Sequence, residues 1–312
     1  MLTSFFGNSK PVHFLVLGGF LILAFVWSAY FASGEVQGII PILSNILVLG
    51  ATVLGLVVLD FIVSKNQLTR RNSFSIFFYT CFLAMVPVVF LQSQMLWANF
   101  FLLLALRRII SLRKESNSEK KILDAAVWIT VASFFYFWSL LYFLPLLIAV
   151  IQKPNLTYKQ LLVPIVGFFS VLLINTALQI LRTGSFSWFM EWHQPVDLDF
   201  SVYNSPPILI PATLLLTLIV FSFVNTLRNF KVVSLKERSG YMLFFIILAI
   251  TLAMSFCGTE KNGSEMVFVF APTAVLCANY IEGTGNNDRI ESWFKEILLW
   301  GVMVLAIALL II

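Results

Sequence analysis

Three side chains in the second half of the chain have the types and spacing to hold an anion. Asn175 and Gln179 are four residues apart, so a helix sets them one turn apart on the same face. Arg182 follows three residues later and would stand at the end of that face. A guanidinium above two amides can bind a lipid phosphate through paired N–H donors. The same amides, with Asn45 and Asn99, can instead bond between helices, where each contributes about 1 kcal/mol or less. Both uses stay open.

A second group lies in residues 182–206, RTGSFSWFMEWHQPVDLDFSVYNSP. Phe186, Phe189, Met190 and His193 recur at the spacing of one helical face, and Trp188 and Trp192 share a neighbouring one. An aromatic amphipathic stretch beside an apolar span belongs in the headgroup layer of a membrane. Pro195 is expected to end this helix, after which Asp197 and Asp199 alternate with Leu198 and Phe200 in an extended run. The segment reads either as an interfacial anchor and cap or as a flap over an outward-facing cavity. In the second case Trp188, Trp192, His193, Asp197 and Asp199 join Arg182, Gln179 and Asn175 in binding substrate.

The remaining reactive side chains carry less. Asp60 is the carboxylate most clearly inside an apolar run, where such groups are functional suspects. One turn from Lys65, it can also pair or reach water. Glu260, Lys261 and Glu265 share one short loop and read as a solvated turn. His13 and His193 have no partners at metal-ligand spacing. Cys81, Cys257 and Cys277 fall within or at the ends of apolar runs, as small buried hydrophobes do. The sequence has no phosphate-binding glycine loop, nucleophile elbow or zinc motif, and no inverted pair of broken helices of the transporter kind. Neither a metal nor a cofactor is expected.

The elements that must position these residues are membrane helices. The chain is 60% hydrophobic and 11% charged, with 32 phenylalanines, and its mean hydropathy is +0.93. No folded core of 312 residues could hide that much apolar side chain from water, whereas lipid solvates every face of a helix. The net charge of +5 sits in short loops between apolar runs, so it argues topology and not nucleic acid.

Apolar runs occupy residues 12–32, 39–64, 74–91, 95–111, 161–181, 207–227, 240–257, 266–281 and 294–312. Roughly 20 residues cross a hydrocarbon core, and in lipid the backbone must satisfy its own hydrogen bonds, so these are helices and not the short strands of a barrel. The run 12–32 follows Lys10 as a secretory signal would, but it exceeds a signal's apolar core and reads as a retained first span. Gly18, Gly19, Gly50 and Gly55 within the runs are expected to let helices approach closely.

Residues 124–152 could form one long helix or a short hairpin turning near Trp138 and Ser139, and the distribution of cations decides. With a hairpin and a cytoplasmic N-terminus, 18 of the 20 basic residues face the cytoplasm, and only Arg182 and Lys261 lie outside. A single helix would put the Arg228, Lys231, Lys236 and Arg238 cluster on the wrong side. The expectation is therefore an all-α integral membrane protein with about eleven transmembrane helices, its N-terminus cytoplasmic and its C-terminus outside. It forms one polytopic domain over residues 1–312, multi-pass in the cell inner membrane, with 182–206 as an outer interfacial loop. Hairpin helices of about 14 residues reach only about 20 Å, so they must be tilted, buried or re-entrant.

The runs FYTCFLAMVPVVFLQSQMLWANFFLLLALRRIISLRKES and KKILDAAVWITVASFFYFWSLLYFLPLLIAVIQKPNLTYKQLLVPIVGFF resemble the middle of polytopic C-type glycosyltransferases, which use polyprenyl-phosphate sugars. The likeness is a basic loop, a short hairpin with aromatics at its turn and a second basic loop. The whole chain, opening MLTSFFGNSKP, also resembles an uncharacterised family of bacterial inner-membrane proteins of about this length. The first resemblance implies an essential acid in the first outer loop to activate an acceptor hydroxyl. Here that loop is residues 33–38, Glu35 is its sole acid and there is no acidic pair. If the activity is present, Glu35 is its general base and Arg182 holds the phosphate.

The departure from the catalytic pattern points first to a non-catalytic subunit of an envelope-biogenesis or secretion membrane complex. An active lipid-linked sugar transferase with an outward-facing site is the alternative, and a transporter ranks below both. The expected partners are membrane lipids, polyprenyl phosphate among them, and other inner-membrane proteins, but not nucleic acid.

Overall fold

The structure, a computed structural model, describes residues 1–32, 39–113, 117–153, 155–229, 235–259, 261–282 and 289–311. Among these the regular elements are helical. In chain order they are α1 (Leu2–Phe6), α2 (Pro11–Val26), α3 (Ile39–Asn66), α4 (Phe74–Met85), α5 (Val88–Leu91), α6 (Ser93–Ser111) and α7 (Ser118–Ser133). They continue as α8 (Phe143–Ile151), α9 (Tyr158–Thr183), α10 (Trp188–Trp192), α11 (Pro206–Asn229), α12 (Leu235–Cys257), α13 (Val267–Glu282) and α14 (Arg289–Ile311). A π-helical stretch, Trp27–Ala32, extends α2, and 3-10 turns occupy Phe137–Tyr142, Ser201–Asn204 and Ser264–Met266.

Among the described residues, six helices are long and apolar enough to cross a membrane: Pro11–Ala29, Ile42–Asn66, Tyr158–Thr183, Pro206–Asn225, Ser264–Glu282 and Ser292–Ile311. The chain is thus a helical membrane protein. Phe74–Met85, Phe137–Ile151 and Met242–Cys257 are apolar but shorter.

The helices cluster into two compact units, each built from separated stretches of chain. The first takes residues 1–96, 199–238 and 261–312, and the second 97–198 and 239–260.

In the first unit α4 and α13 lie at the centre, with α2, α3 and α14 packed on α4 and α11 packed on α13. All twelve residues of α4 are buried. Its sequence, FSIFFYTCFLAM, has no polar stripe, and a helix apolar all round needs neighbours on every side. Phenylalanine contacts run along it, from Phe6–Phe77 with ring centroids 4.9 Å apart to Phe82–Phe270 at 6.0 Å. The run 74–91 is not one helix. Pro87 offers no backbone N–H and pushes Val86 out of helical geometry (φ −123°, ψ 76°), so α4 stops and the short α5 resumes beyond it. Ser28, in the π-helical stretch, donates to the Pro87 carbonyl at 2.9 Å, which also accepts from the Phe90 N–H at 3.0 Å, so the break is tied to α2 through a shared acceptor.

Polar side chains tie separate stretches of this unit together. Glu296 accepts from the backbone N–H groups of Leu2 (2.6 Å) and Thr3 (3.1 Å) and from the Thr3 hydroxyl (2.6 Å). Glu282 accepts from the Arg70 N–H at 2.7 Å and from the Asn72 amide. Buried His13 shares a hydrogen bond with Ser73, its Nδ1 lying 2.9 Å from Oγ.

In the second unit α7 lies along α9. The two meet where α9 has a glycine: a Cβ built on Gly167 would lie 2.7 Å from the Ala126 Cβ. Close approach was expected of Gly18, Gly19 and Gly50 instead, but a Cβ at any of them would meet nothing within 4 Å. At the far end of α9 the chain turns through Gly184 at φ +67°, a left-handed conformation that costs glycine nothing.

Residues 124–152 form a hairpin. The α7 helix ends at Ser133, the backbone turns through 134–136, and the 3-10 turn and α8 pack back on α7. Lys153, just past α8, hydrogen-bonds Ser118 at the start of α7, so the two arms return to the same end. The reversal comes a few residues before Trp138 and Ser139, where it was expected.

Candidate functional site

Burial and ring packing single out the hairpin turn of the second unit. The turn carries five consecutive aromatics, Phe134, Phe135, Tyr136, Phe137 and Trp138. Tyr136 is 1% exposed, and its hydroxyl donates to the Met254 carbonyl at 2.6 Å near the end of α12. This bond satisfies one of the carbonyls that a helix leaves over in its last turn.

The register of α7 against α9 explains what covers the turn. Since α8 returns to the Ser118 end and α9 starts from it, α7 and α9 run parallel, with Ala126 level with Gly167. Ser133 lies seven residues beyond Ala126, and Thr183 lies sixteen beyond Gly167. The α9 helix therefore overshoots the turn by about 13 Å. Residues 184–198 fold back into that step.

Trp192 Nε1 donates to the Ser133 carbonyl at 2.8 Å. Phe134 meets Trp188 at 6.1 Å and Trp192 at 6.0 Å, and Phe137 meets Trp192 at 5.3 Å and stacks on the His193 ring at 5.2 Å. The opposite side of the segment faces outward, with Phe186, Phe189 and Met190 62%, 52% and 85% exposed. One sheet of rings thus seals the hairpin turn, and a second set presents apolar surface.

Of the residues singled out in the sequence, Trp188, Trp192 and His193 come together on this turn. His193 leaves the expected helical face because α10 ends at Trp192; the chain is extended at His193 (ψ 120°), before Pro195 is reached. Asn175 and Gln179 are half-buried on α9, and the Arg182 side chain is exposed at the end of that helix. Asp197 is half-buried. Asp199 is exposed and belongs to the first unit, where its Oδ1 accepts from the Ser201 N–H at 2.9 Å and opens the 3-10 turn. Hydrogen bonds from Ser201 hold the Asp199 carboxyl below the usual carboxylate range. Glu35 lies outside the described residues, as does Glu260.

The Lys261 and Glu265 turn differs from its expected solvated form. Glu265 is fully buried and Lys261 is 5% exposed. Tyr203 donates to Glu265 Oε1 at 2.8 Å, and the Lys261 ammonium lies over the Phe200 ring at 4.5 Å. The neighbouring Gly263, at φ +91°, lets the chain bend past Ile208. No local pattern announces this burial, because the covering residues lie some sixty positions earlier. The run of five aromatics at 134–138, by contrast, was a legible signal for the hairpin turn.

Lys65 does not approach Asp60 as a pairing partner; its ammonium lies 4.8 Å over the Phe61 ring. Cys81 and Cys277 are buried free thiols. Among the described residues no three His, Cys, Asp or Glu side chains group as metal ligands would.

A family model described as a family of unknown function (DUF6427) matches residues 1–311. No curated protein and no solved structure matches the chain.

Proposed function

We propose that this chain, which belongs to the family of unknown function matched along residues 1–311, is a non-catalytic subunit of an envelope-biogenesis or secretion complex in the inner membrane. The observation that carries this reading is helix α9. Of its 26 residues only Gln160, Pro164 and Gly167 are buried, while Leu173, Ile174 and Leu181 are 70%, 62% and 83% exposed. Such a helix offers a long apolar flank to lipid or to the helices of partner proteins. The polar chemistry points the same way. Asp124 pairs with Arg108 at 2.8 Å, and Glu265, Glu282 and Glu296 each join distant parts of the chain. These carboxylates are engaged in fastening the fold.

In this reading the chain crosses the membrane eleven times, with its N-terminus cytoplasmic and its C-terminus outside. The hairpin made by α7 and α8 supports the odd count, and the distribution of the 20 basic residues supports the orientation. Residues 184–198 and the hairpin turn then face the outer compartment.

A second reading, an active lipid-linked sugar transferase, draws on the exposed Arg182 guanidinium beyond Asn175 and Gln179 on α9. Native mass spectrometry of the protein extracted at its natural abundance separates the two. The subunit reading expects one assembly of fixed stoichiometry with other membrane proteins. A monomer that carries and turns over a polyprenyl-phosphate sugar would overturn it.

A further inference from the structure

We propose that the hairpin turn of the second unit holds the phosphate and ester oxygens of a membrane phospholipid, bound by the indole N–H groups of Trp138 and Trp188 and the Ser139 hydroxyl.

The observation behind this is a set of unanswered donors in one place. Trp138 Nε1, Ser139 Oγ and Trp188 Nε1 are all shielded from solvent, and none has a hydrogen-bond partner in the protein. Ser139 is fully buried. An indole N–H can only donate, and a hydroxyl donates readily. A buried donor with no acceptor is costly, and native folds rarely keep several together without something to answer them. The nearby Trp192 shows the contrast, since its N–H does find an acceptor in Ser133.

The two indoles belong to one network of rings, and Ser139 follows Trp138 in the chain. Trp138 meets Phe137 at 5.5 Å, Phe137 meets Trp192 at 5.3 Å, and Trp192 meets Trp188 at 5.9 Å. Two obligate donors and a hydroxyl select a ligand rich in lone pairs.

Depth identifies the source. The turn stops about 13 Å short of the end of α9, and the outward rings of Phe186 and Phe189 with Met190 mark the segment above it as an apolar, membrane-facing surface. At such a level bulk water is scarce, and the abundant acceptors are the phosphate and ester groups of lipid. Aromatic side chains with a polar N–H at one edge suit that boundary.

The test is a titration of the delipidated full-length protein with dioleoylphosphatidylglycerol, counting bound lipid by native mass spectrometry. Trp138→Phe and Trp188→Phe keep a ring in place and remove one donor each. Each should weaken the tightest lipid-binding step roughly three- to tenfold, as loss of one hydrogen bond does. Ser139→Ala should act in the same direction, and Trp293→Phe, at an exposed position in the first unit, should change nothing. Far-UV circular dichroism confirms that each variant is folded, and Ser139→Ala, which deletes one oxygen, keeps the test decisive should a Trp variant misfold. Unchanged lipid affinity in all three donor variants would overturn the proposal. Equal competition by inorganic phosphate would overturn the lipid as its source.

Discussion

Exchanging the small residues at the α7–α9 crossing tests whether the hairpin is seated as described. In Gly167→Ala the new Cβ would lie 2.7 Å from the Ala126 Cβ, whereas ordinary contact begins near 3.4 Å, so the helices must part by about 0.7 Å. Overpacking of this kind costs about 1–3 kcal/mol, and alanine recovers about 0.5–1 kcal/mol of helix propensity over glycine. The net loss should be about 1–2 kcal/mol. Ala126→Gly alone should lose about 0.5–1 kcal/mol through the reverse propensity effect. The double variant Ala126→Gly with Gly167→Ala again places one methyl group at the crossing, and its propensity changes cancel. It should return to within about 0.5 kcal/mol of the parent, which gives a coupling of at least about 1 kcal/mol. Equilibrium unfolding in mixed micelles of rising dodecyl sulfate content, followed by far-UV circular dichroism, measures all four proteins. Strict additivity of the single effects would refute the contact, and with it the step that places residues 184–198 over the hairpin turn.

Other outcomes follow from single contacts. Tyr136→Phe removes the buried bond to the Met254 carbonyl at constant shape and should cost about 1–2 kcal/mol in the same unfolding assay. Glu265→Leu takes the buried acceptor from the Tyr203 hydroxyl and should cost about 1–3 kcal/mol in the same assay, while adding Tyr203→Phe should recover part of it; a double variant worse than Glu265→Leu alone would count against the contact. Hydrogen bonds from Ser201 set the folded-state pKa of Asp199 below the ordinary carboxylate range, so its contribution is whole at neutral pH and is lost as pH falls from the ordinary carboxylate value through that lowered one. Carbon-detected NMR of labelled aspartate should therefore show Asp199 titrating at lower pH than it does in Ser201→Pro, which has no N–H or hydroxyl to donate.

Much of the architecture was legible because hydropathy sums along the chain. The apolar runs 12–32, 39–64, 161–181, 207–227, 266–281 and 294–312 each correspond to a long helix. The sum is blind to single residues that break a helix, so 74–91 read as one element although Pro87 divides it. The hairpin was legible through charge, and its turn came early because the bulky run 134–138 closes over α12 and residues 184–198. Trp188, Trp192 and His193 were found by periodicity. Their partners Phe134 and Phe137 were not, since ring stacking between segments fifty residues apart leaves no local trace. The burial of Glu265 was hidden for the same reason: a short polar loop looks solvated until Tyr203 and Phe200 close over it.

The orientation of the chain decides which compartment the hairpin turn and its covering segment serve. In a background without native cysteines, Ser187→Cys and Ser64→Cys place a thiol at two exposed positions on opposite sides of the proposed topology. A membrane-impermeant maleimide applied to intact cells should label Ser187→Cys at once and Ser64→Cys only after permeabilisation. The reverse pattern would turn the protein over in the membrane and contradict an outward-facing hairpin turn.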